Sequence, residues 1–331
     1  MKRRAFITLL GGATAAWPLA ARAQQRERMR RIGVLMGWPE SDSEARSEFA
    51  AFVQELQKLG WADGRNLRID SRWGMPADPD SMHRFAKELV ALQPDLILSQ
   101  STPATAALLQ QTRTIPIIFA NIVDPIGSGF VASLARPAGN ATGFVNLEPT
   151  MVGKWLELLK EIAPHVMRVT AVYHPDTAPY VEVYLTPFKA TAPSLAIETI
   201  VAPAHDMSEF DSICAAQARQ PNGGLFVVPD PYFLTHRAEV ALLVAGYRLP
   251  AVYFNRAFAE AGGLLSYGND IADNYRRAAS YVDRILKGAQ PSELPVQAPV
   301  KFELVINLKT AKALGLDVPW ILQQRADAVI E

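Results

Sequence analysis

Short apolar runs alternate with longer stretches in which apolar residues return every three or four positions, and this rhythm holds along most of the chain. Arg31 is followed by Ile32-Gly33-Val34-Leu35-Met36, a run that reads as a strand buried on both faces, the usual condition of parallel strands. Over 44–59, Phe49, Phe52, Val53, Leu56 and Leu59 recur with helical spacing, and Gly60 ends the pattern. The same reading gives strands at 66–71, 94–98 and 115–119, with helices at 82–92 and 103–111. After the break Arg136-Pro137-Ala138-Gly139-Asn140 the rhythm restarts. Strands are predicted at 141–145, 168–173, 196–201, 224–228, 251–254 and 263–266, and helices at 151–162, 178–192, 208–218 and 235–245. A late helix over 270–286 leads into a Pro-rich crossing at 291–299, a strand at 303–307 and a last helix ending at Leu314. Such an order predicts an α/β fold of doubly wound parallel sheets with helices on both faces.

Length divides this pattern in two: 331 residues suit a pair of lobes better than one domain. Apolar residues make up 49% and charged residues 20%, enough for a sizeable core. Lys plus Arg and Asp plus Glu each number 33, so no basic field is present to recruit nucleic acid or an anionic membrane. The single cysteine, Cys214, excludes an internal disulfide framework and reads as a small core residue on a helix.

The start of the chain changes the expected location. Lys2-Arg3-Arg4 is a basic segment, residues 7–17 form a short and weakly apolar core, and Ala21-Arg22-Ala23 is an A-x-A cleavage site. This order reads as a secretory signal peptide over residues 1–23, and Arg3-Arg4-Ala5-Phe6 resembles the twin-arginine pattern, with an ordinary secretory signal as the alternative. Cleavage after Ala23 leaves 308 residues with 29 basic and 33 acidic side chains, a formal charge of −4. No Cys stands at the cleavage site to carry lipid, and no later run reaches the length of a membrane span. The expectation is an exported periplasmic protein that is not embedded in the membrane.

Three apolar strands lead into similar ends: Leu98 into Ser101-Thr102-Pro103, Phe119 into Asp124-Pro125, and Val228 into Asp230-Pro231. In each, Thr or Asp precedes a Pro; Thr and Asp cap helices and Pro fits the first helical position, so each end predicts a helix start. In a doubly wound sheet these ends lie where ligands bind. Ser101 and Thr102, with hydroxyls and no acid, suit a carboxylate at a helix N-terminus. Asp124 and Asp230 suit an ammonium or hydroxyl group, and the combination hints at a zwitterion such as an amino acid. Trp38 after the first strand is a candidate for stacking on a ligand. Tyr173, His174, Asn255 and Tyr267 stand at strand ends in the second half, as ligand contacts or as exposed rim residues.

Catalytic signals are poor. G-x-x-x-x-G-K-[ST], H-E-x-x-H and G-x-S-x-G are all missing. Gly127-Ser128-Gly129-Phe130-Val131-Ala132 matches G-x-G-x-x-A, but it lies far from its strand, beyond Pro125, with no acid about 20 positions on. The five histidines (83, 165, 174, 205 and 236) lack metal-ligand spacing, so no metal or cofactor is expected. An acid pair of Asp124 and Asp230 in an exported hydrolase stays open as an alternative.

Several specific segments, spread from about residue 31 to 330, resemble the tryptophan/tyrosine-type substrate-binding proteins of ABC transporters. They are Ile32-Gly33-Val34-Leu35, Leu59-Gly60-Trp61 with Gly64-Arg65-Asn66, Thr102-Pro103-Ala104-Thr105 with Ile115-Pro116-Ile117, and Val123-Asp124-Pro125-Ile126-Gly127. The stretch from Leu134 to Gly143, Leu156-Glu157-Leu158-Leu159-Lys160, and the tail from Leu304 to Lys312 match as well. The resemblance implies a type I periplasmic binding protein fold, with lobes at 30–142 plus 267–298 and at 143–266 plus 299–331, joined by three crossings. It implies non-enzymatic capture of a small molecule by hinge closure, with ABC permease subunits as partners. It places Ser101, Thr102, Asp124 and Asp230 along the cleft. A sensory protein that presents its ligand to a receptor fits the same residues. The segment from Gly37 to Asp42 departs from the amino-acid-binding members, so the ligand itself is not carried over.

Overall fold

The computed structural model describes residues 29–75, 78–146 and 149–331; the expected signal peptide and its cleavage site lie outside them. The chain opens with β1 (Arg30–Met36), α1 (Ser43–Lys58), β2 (Leu67–Trp73), α2 (Pro79–Ala91), β3 (Leu96–Gln100), α3 (Thr102–Gln111), β4 (Ile117–Ile122) and β5 (Ala141–Val145). These strands form one parallel sheet in the order β2-β1-β3-β4-β5. Reversal of direction at β1 creates a switch point, the usual place for a ligand crevice. Val34, Leu98 and Ile118 face one side of the sheet, and Leu35, Ile97 and Ile117 face the other. Both sides are buried, which explains the unbroken apolar runs.

The second half contains α4 (Met151–Ile162), β6 (Arg168–Tyr173), α5 (Glu182–Thr191), β7 (Glu198–Pro203), α6 (Met207–Ala218), β8 (Gly223–Val227), α7 (Pro231–Thr235), α8 (Arg237–Gly246), β9 (Ala251–Tyr253), α9 (Arg256–Glu260) and β10 (Leu265–Asn269). The chain then runs through α10 (Ile271–Leu286), β11 (Phe302–Asn307), α11 (Leu308–Ala313), α12 (Trp320–Arg325) and β12 (Ala328–Ile330). The second sheet has the order β12-β11-β10-β9-β8-β6-β7 and is parallel except where β11 runs against β10. Two mostly parallel α/β lobes, as expected, therefore make up the fold.

The expected hand-overs between lobes shift by a few residues. A boundary at 142/143 cuts β5, which stays in the first sheet to Val145, and one at 266/267 cuts β10, which belongs to the second. Backbone pairing decides the matter, because a strand goes with the sheet that satisfies its N–H and C=O groups. Next, α10 returns to the first lobe. Its buried residues Ile271, Asn274, Tyr275, Ala278, Val282 and Ile285 recur every three or four positions on one face, and that face meets α1 and β4. A last segment then runs beside β5: Val145 N–H donates to Gln297 O at 3.0 Å, and Gln297 N–H donates to Gly143 O at 2.9 Å.

Local chemistry sets most helix starts. Asp42 caps α1 by accepting from Ala45 N–H, Asp78 caps α2 from Ser81 N–H, and Asp270 caps α10 from Asp273 N–H. The sequence missed α9, α12 and β12, all short, and placed the start of α5 four residues early. Residues 179–181 form turns instead, and the helix is entered only at Glu182.

Candidate functional site

Carboxyl ends of strands from the two sheets face each other across a gap, and the gap contains cavities in a row. At one end, a cavity of about 420 Å³ is lined by Thr102, Asp124, Phe130, Tyr180 and Val183, among others. Thr102 and Tyr180 also line a neighbouring space of about 20 Å³, together with Trp38, Asn121, Asn146, Asp230 and Phe254. Trp38 and Leu234 continue into a narrow space that reaches Glu44 and Glu48. Those two acids line a last compartment of about 540 Å³, with Arg237, Asn255, Asn269 and Asp270.

The central space is the most telling, because polar atoms around it lack partners. Trp38 is 4% exposed and its indole N–H is unpaired. The amide oxygens of Asn121 and Asn146 are also buried without a donor. A buried polar atom without a hydrogen bond costs about 1–3 kcal/mol, so folds avoid such atoms unless a guest completes them. One donor and two acceptors around a single space suit a guest that both accepts and donates.

Asn121 owes its position to the backbone. The β4–β5 register shifts between Phe119 and Ile122, and Asn121 adopts a left-handed conformation with φ 61°. Asn tolerates that region better than most residues. Asn146 directly follows β5, and its N–H donates to Ile122 O at 2.8 Å. Sequence reading missed Asn121, Asn146 and Tyr180. The two asparagines carry no periodic signal, and only the kink at 119–122 turns Asn121 toward the gap.

Of the residues read from sequence, Trp38, Thr102 and Asp230 line the central space, Asp124 the first cavity and Asn255 the last compartment. Ser101, rather than Thr102, is the cap of α3; its Oγ accepts from Ala104 N–H at 3.4 Å with φ 78°. Asp124 starts no helix. Residues 125–129 form turns, and its carboxylate accepts from Gly127 N–H at 2.8 Å. Ser101, Tyr173, His174 and Tyr267 line none of these spaces. Tyr267 stacks on Phe302 at 6.0 Å, on the far partner strand. His174 is buried against Tyr232, with Nε2 3.0 Å from His205 O.

Asp230 does cap a helix, and its oxygens are fully engaged. Oδ2 accepts from His174 N–H at 2.6 Å, and Oδ1 accepts from the Thr177 hydroxyl at 2.8 Å and from the N–H groups of Tyr232 and Phe233. Burial pushes its carboxyl up to about 6, against the pull of these donors. This acid anchors the loops after β6 and β8.

Among the described residues, two polar side-chain links join the lobes. Arg237 donates to Asp42 at 2.7 Å, with both side chains largely buried, and Asn255 donates to Glu44 at 2.9 Å. Gln100 ties the first wall together by accepting from Gly37 N–H and donating to Glu48. Burial holds the Glu48 carboxyl well above the usual carboxylate range, and Glu44 and Asp42 push it further the same way. Its bond from Gln100 and the charge of Arg237 oppose the shift. Tyr275, whose hydroxyl is buried and unpaired, lies near enough to feel Glu48.

A group with a raised folded pKa holds its proton more tightly in the folded state. Its contribution therefore falls as pH climbs from the ordinary carboxylate value to the raised one. Glu48→Gln keeps an acceptor for Gln100 and removes that loss. The expected Tm at pH 8 is about 2–4 °C above the parent, the shift that roughly 1 kcal/mol brings. At pH 4 the two melting curves are expected to coincide. A variant less stable at pH 8 refutes this account of Glu48.

Comparison with known proteins agrees with this architecture. A family model described as ABC transporter substrate binding protein matches residues 41–330. The chain is similar to the structure of an ABC domain in complex with L-Trp from Streptococcus pneumonia. Identity is 27% and the TM-score 0.83, over 91% of this chain and 99% of that one. A conserved domain protein from Vibrio cholerae O1 biovar El Tor gives the same identity, TM-score and coverage. A tyrosine-binding protein of Clostridioides difficile (strain R20291) is 24% identical over 265 residues, covering 80% of this chain and 75% of the relative. Substrate-binding proteins of this kind bind without catalysing a reaction. With a model match over most of its length and two parallel-sheet lobes of the type I periplasmic binding protein fold, this chain belongs to the ABC transporter substrate-binding protein family.

Proposed function

We propose that this protein is the exported solute-capturing component of an ABC importer and that its solute is an amino acid, with the aromatic ones favoured. One observation carries the reading: three unpaired buried polar atoms, on Trp38, Asn121 and Asn146, converge on one space between the lobes. An amino acid brings acceptors in its carboxylate and donors in its N–H groups, the two kinds of partner these atoms lack. Trp38, Tyr180 and Phe254 supply aromatic lining beside them. The L-Trp of the pneumococcal structure and the tyrosine of the clostridial relative's name point the same way.

The central space, at about 20 Å³, admits about one water, so a solute of amino-acid size has to enter with the lobes parted. The two lobes would comprise about 30–145 with 270–298, and 150–269 with 302–331, hinged at the crossings. Contacts from the solute to both walls then favour the shut form. Arg3-Arg4 and Ala21-Arg22-Ala23 support export to the periplasm, and the family supports permease subunits as the partners.

Thermal melts with each of the twenty amino acids test the reading. L-Trp or L-Tyr at about 100 times its Kd is expected to stabilise the protein by about 2.7 kcal/mol. Asn121→Ala and Asn146→Ala are each expected to weaken that binding about tenfold or more, the effect of losing about 1.4 kcal/mol. No shift with any amino acid would refute the assignment.

A further inference from the structure

Beyond Trp38 the gap ends in the compartment of about 540 Å³, within the usual size range of ligand pockets. Its chemistry differs from that of the central space. Most of its charged lining is internally matched. Arg237 pairs with Asp42 at 2.7 Å, Arg256 with Glu260 at 2.9 Å and Glu303 at 2.8 Å, and Asp270 with Arg276 at 2.9 Å and Lys301 at 2.8 Å. Glu44 and Glu48 are the exception. They stand four residues apart on α1, hence on one face. Their hydrogen-bond partners are neutral amides, those of Asn255 and Gln100. A second observation is independent of the acids. Asn269 lines the same compartment, is only 8% exposed, and has neither amide atom paired.

Two neighbouring carboxyls with no cation bonded to them, beside an unpaired buried amide, are costly arrangements. A guest that brings positive charge and N–H donors relieves both. Among the described residues no group of three or more His, Cys, Asp or Glu side chains is placed to hold a metal ion, which directs the choice to an organic cation. We infer that this compartment recognises a protonated amine through Glu44, Glu48 and Asn269. The inference rests on reading the gap as a capture site. The amine is either the amino end of the captured solute, reaching past Trp38, or a separate small amine bound beside it.

Calorimetric titration of the full-length protein at pH 7.5 tests this with four probes: 1,4-diaminobutane, tryptamine, indole-3-propionate and L-Trp. Diaminobutane and tryptamine are expected to bind. The double variant Glu44→Gln/Glu48→Gln, which keeps acceptors for Asn255 and Gln100, is expected to weaken both at least tenfold. Indole-3-propionate, which has no amine, is expected to bind the parent and the double variant alike. Asn269→Ala gives a second variant outside the acidic pair and is expected to weaken the amines as well. Competition between L-Trp and diaminobutane supports the amine as part of the solute, and simultaneous binding supports a separate guest. Amines that bind the double variant as tightly as the parent, or that fail to bind the parent at millimolar concentration, overturn the inference. If L-Trp binds while neither diaminobutane nor tryptamine binds through Glu44 and Glu48, solute capture stands and the amine compartment falls. If diaminobutane binds through them and no amino acid binds, the compartment stands and the amino-acid assignment falls.

Discussion

Asp230→Ala is expected to cost about 4 kcal/mol or more and to take solute binding with it. The side chain is 2% exposed and accepts from four donors, three of them backbone N–H groups. Alanine leaves all four without an acceptor in a dry setting, and each unmet group is worth about 1–3 kcal/mol. The damage reaches function because the donors belong to two segments of the second wall, the loop after β6 and the start of α7 after β8. Thr177 and His174 come from that loop, and Tyr232 and Phe233 from the first turn of α7. Asp230→Asn is expected to lose about half as much, because its NH₂ confronts a donor where the carboxylate accepted one. Chemical denaturation followed by circular dichroism measures both variants. A loss below about 1 kcal/mol for the alanine variant means the loops find other acceptors and the anchoring role is wrong.

Gly143→Ala is expected to be comparably severe, at about 4 kcal/mol, the range reserved for steric conflict in a core. Gly143 has φ 153°, and a Cβ there falls inside the contact distance of the Phe119 carbonyl oxygen and backbone nitrogen. Relief requires β4 and β5 to move apart at the point where the returning segment at Gln297 also pairs. The expected Tm falls by roughly 8–16 °C, at about 2–4 °C per kcal/mol. Binding falls too, since Asn121 and Asn146 both hang from this strand pair. A variant that melts within about 2 °C of the parent refutes the close-approach argument.

Strand ends were legible in the sequence because they combine two local signals. An apolar run stops, and a capping residue with a following Pro begins. Asp230-Pro231 and Ser101-Thr102-Pro103 lie where those signals put them, and 151–162 and 168–173 match to the residue. Asp124-Pro125 carries the same signals without a helix: Asp124 has a positive φ, and its turn closes on Gly127. Cap chemistry alone does not separate a turn from a helix start. Tyr267 shows a second limit. The strand predicted at 263–266 runs instead over Leu265–Asn269, so Tyr267 lies inside β10 and its side chain stands on a sheet face rather than at the gap. Register is a long-range property, fixed here by the antiparallel pairing with β11. Asn121 and Asn146 were illegible for a related reason. Their importance lies in what they fail to touch, and a missing partner is visible only after every other contact is in place.

Asp42, at the start of α1, and Arg237, at the start of α8, meet across the gap from different lobes. On the proposed closure, their attraction acts whether or not a solute is present and adds to the drive that brings the walls together. Low salt is then expected to favour the shut arrangement and concentrated salt to loosen it, with no change in any atom that touches the guest.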